Sequence, residues 1–340
     1  MNGSKTILEM HMNWPSLSII IPSFNQGKFI ERTILSILKQ KYPGTLEVIV
    51  SDGGSKDETV DILKKYPQLI WWSQPDKGFV DAVNKGFAMA KGDILAIQSS
   101  DDFYLKGAFK RCIKELINNK EISVISGCDI YIEPDRKTFT VSDLNSHYVT
   151  PRTLLIDRVI PQHCAFFRRN ILQKIGGLRT EVDTCSDIDL WYRALHHFKG
   201  RFTPHYVGAY QFHDNQRTKT LKTWFLSQKK MVEMCETDDL YNPKFRLTDE
   251  DKKNIYKIWE LKHDLNHGDR EKVLDEIDLI LRQKVYSEKT KRELRIMIGV
   301  NEPRAQKYLR VINEFSLSYL FKKINLHIQK YTIDIDWWQK

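Results

Sequence analysis

No stretch of this 340-residue chain approaches the roughly 20 consecutive apolar residues that a membrane-spanning helix requires, so no transmembrane anchor is expected in it. Residues 1–15 lack the apolar centre of a secretion signal, and the expected location is the cytoplasm. Cysteine is scarce: Cys112, Cys128, Cys164, Cys185 and Cys235 are odd in number, scattered and without C-x-x-C spacing. That pattern excludes a disulfide framework and a structural zinc site and leaves reduced thiols. There is no G-x-x-x-x-G-K-[ST] loop and no G-x-G-x-x-G run, which removes the P-loop and dinucleotide fingerprints. Zinc-finger, RNP and GXXG signatures are missing, so nucleic acid is not an expected partner. Internal repeats and low-complexity linkers are also lacking, which excludes a solenoid.

What is present belongs to an ordinary globular protein, with 41% hydrophobic and 29% charged residues. The length allows two domains, or one large domain with an appendage. Fifty-three basic against 44 acidic residues give a net charge of +9, a moderate bias towards anionic partners such as nucleotides or phospholipid headgroups.

Short aliphatic runs alternate with helical patterns through the first hundred residues. Strands are expected at residues 17–22, 46–50, 69–72 and 94–97, each rich in β-branched or aromatic side chains. Between the first two, Phe29, Ile30, Thr33, Ile34, Ile37 and Leu38 share one helical face. Further helices are expected at residues 59–66 and 79–90, the second burying Phe79, Ala82, Val83, Gly86, Phe87 and Ala90. Three strand–helix alternations make an α/β sheet the economical reading, with ligands outside the carboxyl ends of the strands.

Polar residues cluster at those ends. The loop 51–57 carries Asp52, two glycines and Asp57, and reads equally as a ligand loop or as a turn with Asp57 capping the next helix. Residues 94–97 stop abruptly in Ser99, Ser100, Asp101 and Asp102. Two adjacent carboxylates repel unless a cation, a shared proton or solvent intervenes. Taken alone, the pair reads as a solvated loop with Asp102 as a helix N-cap.

Four ordered segments carry a resemblance. Residues 18–27 (SIIIPSFNQG), 50–57 (VSDGGSKD), 76–86 (DKGFVDAVNKG) and 90–102 (AKGDILAIQSSDD) resemble the family 2 glycosyltransferases of the GT-A fold. The resemblance implies a Rossmann-like, mostly parallel sheet flanked by helices, a nucleotide-diphosphate sugar donor, UDP-linked by expectation, and inverting transfer to an acceptor hydroxyl. It places Pro22, Ser23, Phe24, Asn25 and Asp52 around the donor's base and ribose, with Asp52 accepting the imide N–H, and extends donor binding to Asp76, Lys77 and Ser100. The family's D-x-D element falls on Ser99-Ser100-Asp101, which makes Asp101 the ligand for Mn²⁺ or Mg²⁺ and Asp102 a supporting or ribose contact.

Two later segments extend the likeness. Residues 160–169 (IPQHCAFFRR) match an acceptor-side strand with His163 facing the cleft, although a lone histidine among apolar residues, taken without the resemblance, reads more often as a core group. Residues 184–193 (TCSDIDLWYR) match the catalytic-base segment, with Asp187 taking the acceptor's proton and Asp189 as competitor. The two project roughly 200° apart on a helix, so only one can face a cleft, and the apolar residues Leu190, Trp191 and Ala194 favour Asp187. Residues 210–217 match a late loop in which His213 meets a metal or phosphate and Arg217 a phosphate.

After residue 220 the pattern turns helical and rich in Lys, Glu and Leu, at 222–236, 248–266, 270–284, 288–298 and 303–329. The expected organisation is an N-terminal extension (1–15), a GT-A catalytic domain (16–220) and a helical accessory region (221–340). Residues 303–329 carry an apolar face that reads either as an interfacial helix serving a lipid-linked or glycan acceptor at the membrane surface, or as packing on the catalytic domain or a second subunit. A pathway in bacterial surface polysaccharide synthesis follows from the resemblance. A nucleotidyltransferase and a catalytically silent scaffold on the same fold are the competing classes, the latter suggested by Ser99 and Ser186.

Overall fold

The computed structural model describes residues 12–132, 139–141, 147–156, 160–213, 216, 221–237 and 242–267. Arg217 and the helices expected at 270–284, 288–298 and 303–329 lie outside these residues.

The chain opens with β1 (Leu17–Ser23), α1 (Ile30–Leu38), β2 (Leu46–Asp52), α2 (Thr59–Lys64), β3 (Ile70–Ser73), α3 (Phe79–Met89) and β4 (Ile94–Ile97). These are the expected alternations, and all four strands run parallel in the order β3-β2-β1-β4. Next come β5 (Phe103–Tyr104), α4 (Ala108–Asn118), β6 (Ile122–Ile132), β7 (Phe139–Val141), β8 (His147–Val149) and α5 (Pro151–Ile156). A 3-10 turn (Gln162–Cys164) then leads into β9 (Ala165–Arg168) and α6 (Asn170–Ile175), and a second (Thr180–Cys185) into α7 (Ser186–Leu195). The described chain finishes with β10 (Lys199–Gln211), α8 (Leu221–Glu236) and α9 (Asp249–His267). One ten-stranded sheet continues the parallel half through β9, β6, β10 and β5, with β9 antiparallel to both β4 and β6.

Both faces of this sheet are covered, which explains the consecutive apolar residues of the inner strands. On β1, Leu17, Ile19 and Ile21 enter the core beneath α1 and α4, while Ile20 enters the opposite core beneath α3 and α7. Ile94 and Ala96 of β4 alternate with Leu95 and Ile97 in the same way, as Phe166 does with Phe167 on β9. Period-two alternation thus serves two cores rather than one core and solvent.

Two helices beyond residue 220 belong to the second of these cores. Met231, Val232 and Cys235 of α8 and Ile255 and Trp259 of α9 are buried with Trp191 and Leu195 of α7. Trp259 Nε1 donates to the Leu155 carbonyl at 3.1 Å, and Asn242 bonds His196 just beyond α7. The described residues of α8 and α9 are therefore built onto the α/β unit. All five cysteines are buried free thiols. Among the described residues no helix is long and apolar enough to cross a membrane.

Candidate active site

The carboxyl ends of β1, β4, β6 and β10, together with the heads of α3 and α7, enclose a cavity of about 910 Å³. That is at the upper end of the range for small-molecule sites. Pro22, Ser23, Phe24, Asp76, Ser100, Asp101, Asp102, His163 and Asp187 all line it. Of the other residues predicted from sequence, Asn25, Asp52, Lys77 and His213 are described but lie outside the lining.

The loops after β1 and β2 are tied together. Asn25 adopts a positive φ of 53°, and its Oδ1 accepts from Lys56 N at 2.9 Å while its own N–H donates to Ser55 Oγ at 2.7 Å. Gly27 N donates to Asp57 Oδ2 at 2.9 Å and Asp57 Oδ1 takes the Thr59 N–H at 3.0 Å, so Asp57 joins the two loops and bonds the first amide of α2 from one residue before the N-cap position, which Glu58 occupies. Asn25 is thus a fastening between loops. Ser23 Oγ is buried with no hydrogen-bond partner among the described residues, and an orphaned hydroxyl in a cavity wall is suited to a ligand.

Asp52 is fully buried, with four protein donors on its two oxygens: the Gly54 and Ser55 amides and the Ser55 and Ser73 hydroxyls, at 2.5–3.1 Å. A carboxylate offers about four lone-pair directions. Oδ2 of Asp52 takes three of these donors and Oδ1 one, so the side chain organises its own loop and stands outside the cavity lining.

Latches on both sides hold the segment after β4. The Thr33 hydroxyl lies 2.9 Å from the Ser100 carbonyl and 2.6 Å from that of Asp102. Arg32 reaches the Asp101 carbonyl, bonds the Gln211 side chain and lies over the Phe103 ring. Asp102 Oδ1 accepts the Gln211 amide at 3.1 Å. The expected N-cap role fails here: Asp102 is only 2% exposed, β5 follows it directly, and the next helix starts at Ala108. Burial, reinforced by the charge of Asp101, pushes its carboxyl well above the ordinary range.

Asp101 faces outward from that latch. Its Oδ2 is 2.9 Å from His213 Nε2, and the His213 ring stacks on Phe29 with centroids 4.5 Å apart. Neighbouring ligand atoms on an octahedral ion with bonds of about 2.1 Å are separated by about 3 Å. The pair therefore fits two corners of such an ion. Among the described residues no group of three or more His, Cys, Asp or Glu side chains could hold a metal. None is required, because ions of this class are commonly held by one or two carboxylates and completed by phosphate oxygens.

His163 lies in the 3-10 turn before β9 rather than on the strand, over the bare Cα of Gly208, where a Cβ would come within 2.8 Å of its ring. Its Nδ1 is 3.9 Å from Asp102 Oδ2 and its Nε2 3.5 Å from Asp129 Oδ2. Burial draws its pKa below the usual value although Asp129 and Asp101 pull the other way. Asp129 is a cavity residue that motif reading missed, as is Tyr131; Tyr210 and Phe212, also in the lining, fall within the matched segment 210–217 but had no role of their own. The available signal was a carboxylate inside an otherwise apolar strand. Parallel pairing of Tyr131 with Tyr210 sets the three rings on one wall, with centroids 5.2–5.9 Å apart.

On α7 every residue except Asp187 is buried. Asp189 is fully buried and is held by Arg193 Nε and a second guanidinium nitrogen, both at 2.8 Å. Arg193 in turn donates to the carbonyls of Ile175 and Gly177 at 2.6 and 2.7 Å. Asp189 pins the preceding turn, and Asp187 is the carboxylate that this helix presents to the cavity.

Known proteins resemble this chain in sequence and fold. The description "Glycosyl transferase family 2" matches residues 18–176. An uncharacterised glycosyltransferase of Mycobacterium tuberculosis is 31% identical over 185 residues, covering 53% of this chain and 69% of its own. The chain belongs to glycosyl transferase family 2. It is a glycosyltransferase, of a family in which inversion is typical. The hyaluronan synthase of Pasteurella multocida, another relative, is 27% identical over 55% of this chain but only 19% of its own length. The fold is shared with S. aureus TarS 1–349 in complex with UDP-GlcNAc, at 16% identity and TM-score 0.56 over 74% of this chain and 73% of that one. The mannosyltransferase PcManGT of Pyrobaculum calidifontis, solved with GDP-Man and Mn²⁺, is 17% identical with TM-score 0.54, covering 86% and 91%. Both are GT-A proteins.

Proposed function

We propose that this family 2 enzyme moves a sugar from a nucleoside diphosphate donor, UDP-linked by preference, to a glycan hydroxyl with inversion in a single displacement, Asp187 serving as base. The observation that carries this reading is that the one unburied residue of α7 is a carboxylate lining the same cavity as Asp101 and Asp102. The acceptor's O–H gives its proton to Asp187 as the oxygen attacks the anomeric carbon from one side. On the other side the bond to the diphosphate breaks, and the nucleoside diphosphate leaves.

Asp101 and His213 would hold Mn²⁺ or Mg²⁺ against that diphosphate. The bound ion supplies neutralisation of the charge that builds on the departing phosphate. Arg32 and Thr33 keep Asp101 aimed by fixing the backbone on either side of it. The rings of Tyr131, Tyr210 and Phe212 give the sugar end of the cavity apolar faces suited to the C–H side of a pyranose, and Asp129 adds an acceptor for hydroxyls. A role in extracellular polysaccharide assembly draws support from the relatives named hyaluronan and chondroitin synthases.

Calorimetric titration of UDP and GDP, with and without Mn²⁺, tests the metal assignment. We expect the ion to strengthen binding to the natural sequence and to leave Asp101→Ala unaffected. Equal enhancement in both proteins would remove Asp101 from the ligand set.

A further inference from the structure

Asp187 is the second residue of α7, and the backbone leading into it is not one continuous helix. The 3-10 turn Thr180–Cys185 is non-helical at Val182 (φ −128°, ψ 39°), and Cys185 departs again (φ −133°, ψ 29°) before α7 begins. A catalytic side chain has to be held to within about 0.5 Å by the packing and hydrogen bonds around it. Here those contacts come from two sides. Ser186 Oγ donates to the Asp183 carbonyl at 3.1 Å, which ties the head of α7 back to the turn. From outside, α8 packs on the turn, and its Met231, Val232 and Cys235 enter the core that also buries Val182, Cys185 and Ile188. Ser227 precedes Met231 and Cys235 by four and eight positions, on the same face of α8. Its Oγ accepts the Thr184 hydroxyl at 2.7 Å. Thr184, Ser186 and Asp187 line the cavity, whereas Ser227 stands behind them. The match to the family ends at residue 176, so the turn, α7 and this face of α8 all lie beyond it.

We propose that Ser227 is a positioning residue for the transfer reaction: by holding the Thr184 hydroxyl it sets the turn from which Asp187 faces the acceptor. The apolar contacts of Met231, Val232 and Cys235 bring helix and turn together without direction. A hydrogen bond adds a preferred distance and angle, and so fixes one register of the turn against α8. Loss of its acceptor leaves the core in place and lets the turn shift. A displacement of about 1 Å that originates away from the chemistry can cost about 10²-fold in rate, and a smaller one correspondingly less. The inference rests on the reading of Asp187 as base.

The test is a double-mutant cycle on Ser227→Ala and Thr184→Val, read as release of UDP or GDP from UDP-GlcNAc and GDP-Man with Mn²⁺ present and water as the acceptor. Water gives its proton to Asp187 as its oxygen attacks the anomeric carbon, and the bond to the diphosphate breaks to leave free sugar and nucleoside diphosphate. Nucleotide affinity and urea stability are measured on the same proteins. Ser227→Ala is expected to lower kcat by about tenfold with KM and nucleotide affinity unchanged, and Ser227→Thr, which keeps the hydroxyl, to restore it. The double variant should be no slower than Thr184→Val, because both changes remove the same contact. A lower urea midpoint in Ser227→Ala with an unchanged kcat, or effects that multiply independently in the cycle, overturns the assignment. With Asp187→Asn slow in the same assay, that outcome leaves the base reading standing. Release by Asp187→Asn at the natural rate, or no release from either donor by the natural protein, overturns both.

Discussion

Asp187 and Asp189 stand two residues apart on α7 and meet opposite surroundings. Asp189 is fully buried against Arg193, whose guanidinium also holds the Ile175 and Gly177 carbonyls, whereas Asp187 opens on the cavity. Removing one member of a buried, hydrogen-bonded ion pair typically costs about 3–5 kcal/mol, because the partner is left charged and unpaired. Asp189→Asn should therefore lower stability to urea by about that much. A loss no larger than that of an exposed ion pair would show that Arg193 finds other partners. That only one of the two carboxylates can face the cleft was legible in sequence from helical geometry, since they project roughly 200° apart; the choice of Asp187 drew on Leu190, Trp191 and Ala194 and on the resemblance. The sequestration of Asp52 was not legible. A strand-tip carboxylate reads the same whether it faces ligand or its own loop, and here the Ser55 and Ser73 hydroxyls decide.

Among the elements, α7 is the part that connects the cavity to the region beyond residue 220. Just past its end, His196 is 2% exposed, its Nδ1 accepts the Asn242 N–H at 3.3 Å, and its ring meets Tyr192 and Phe245 edge-on. Burial and the neighbouring His197 depress its pKa to about 4. In the unfolded chain the group titrates near the ordinary histidine value, about 6.5, so between there and 4 the unfolded state binds the extra proton. Its contribution to stability is complete above that range, declines as pH falls through it, and levels off below. We expect the urea midpoint to fall over this interval, and His196→Asn, which can still accept from Asn242, to flatten the decline. Parallel profiles for the two proteins would assign the loss to other groups. Strands and helices up to β4 were readable because each stretch pairs an apolar period with a loop of fixed chemistry. The later elements were less so: β9 is four residues long and its neighbour His163 sits in a 3-10 turn, where a short apolar run gives no period to follow.

For the molecule as a whole, two cores lie on either side of one sheet, and the polar residues gather where its strands end. The first hundred residues disclosed that plan, because the inner parallel strands β1 and β4, buried on both faces, write themselves as aliphatic runs, with β2 beside them and β3 at the edge. The aromatic and carboxylate wall of β6 and β10 stayed hidden, since its parts come from residues about 80 positions apart that only the parallel pairing brings together. The same holds for α8 and α9, whose sharing of a core with α7 no local pattern announces. The central claim is that this cavity performs sugar transfer with Asp187 as base. Its most direct test is the rate at which UDP or GDP is released from the corresponding nucleotide sugar, measured for the natural protein and for Asp187→Asn alongside nucleotide affinity. A general base is worth about 10²- to 10⁴-fold, so release should fall by that factor while affinity is unchanged. Release by Asp187→Asn near the rate of the natural protein would contradict the account.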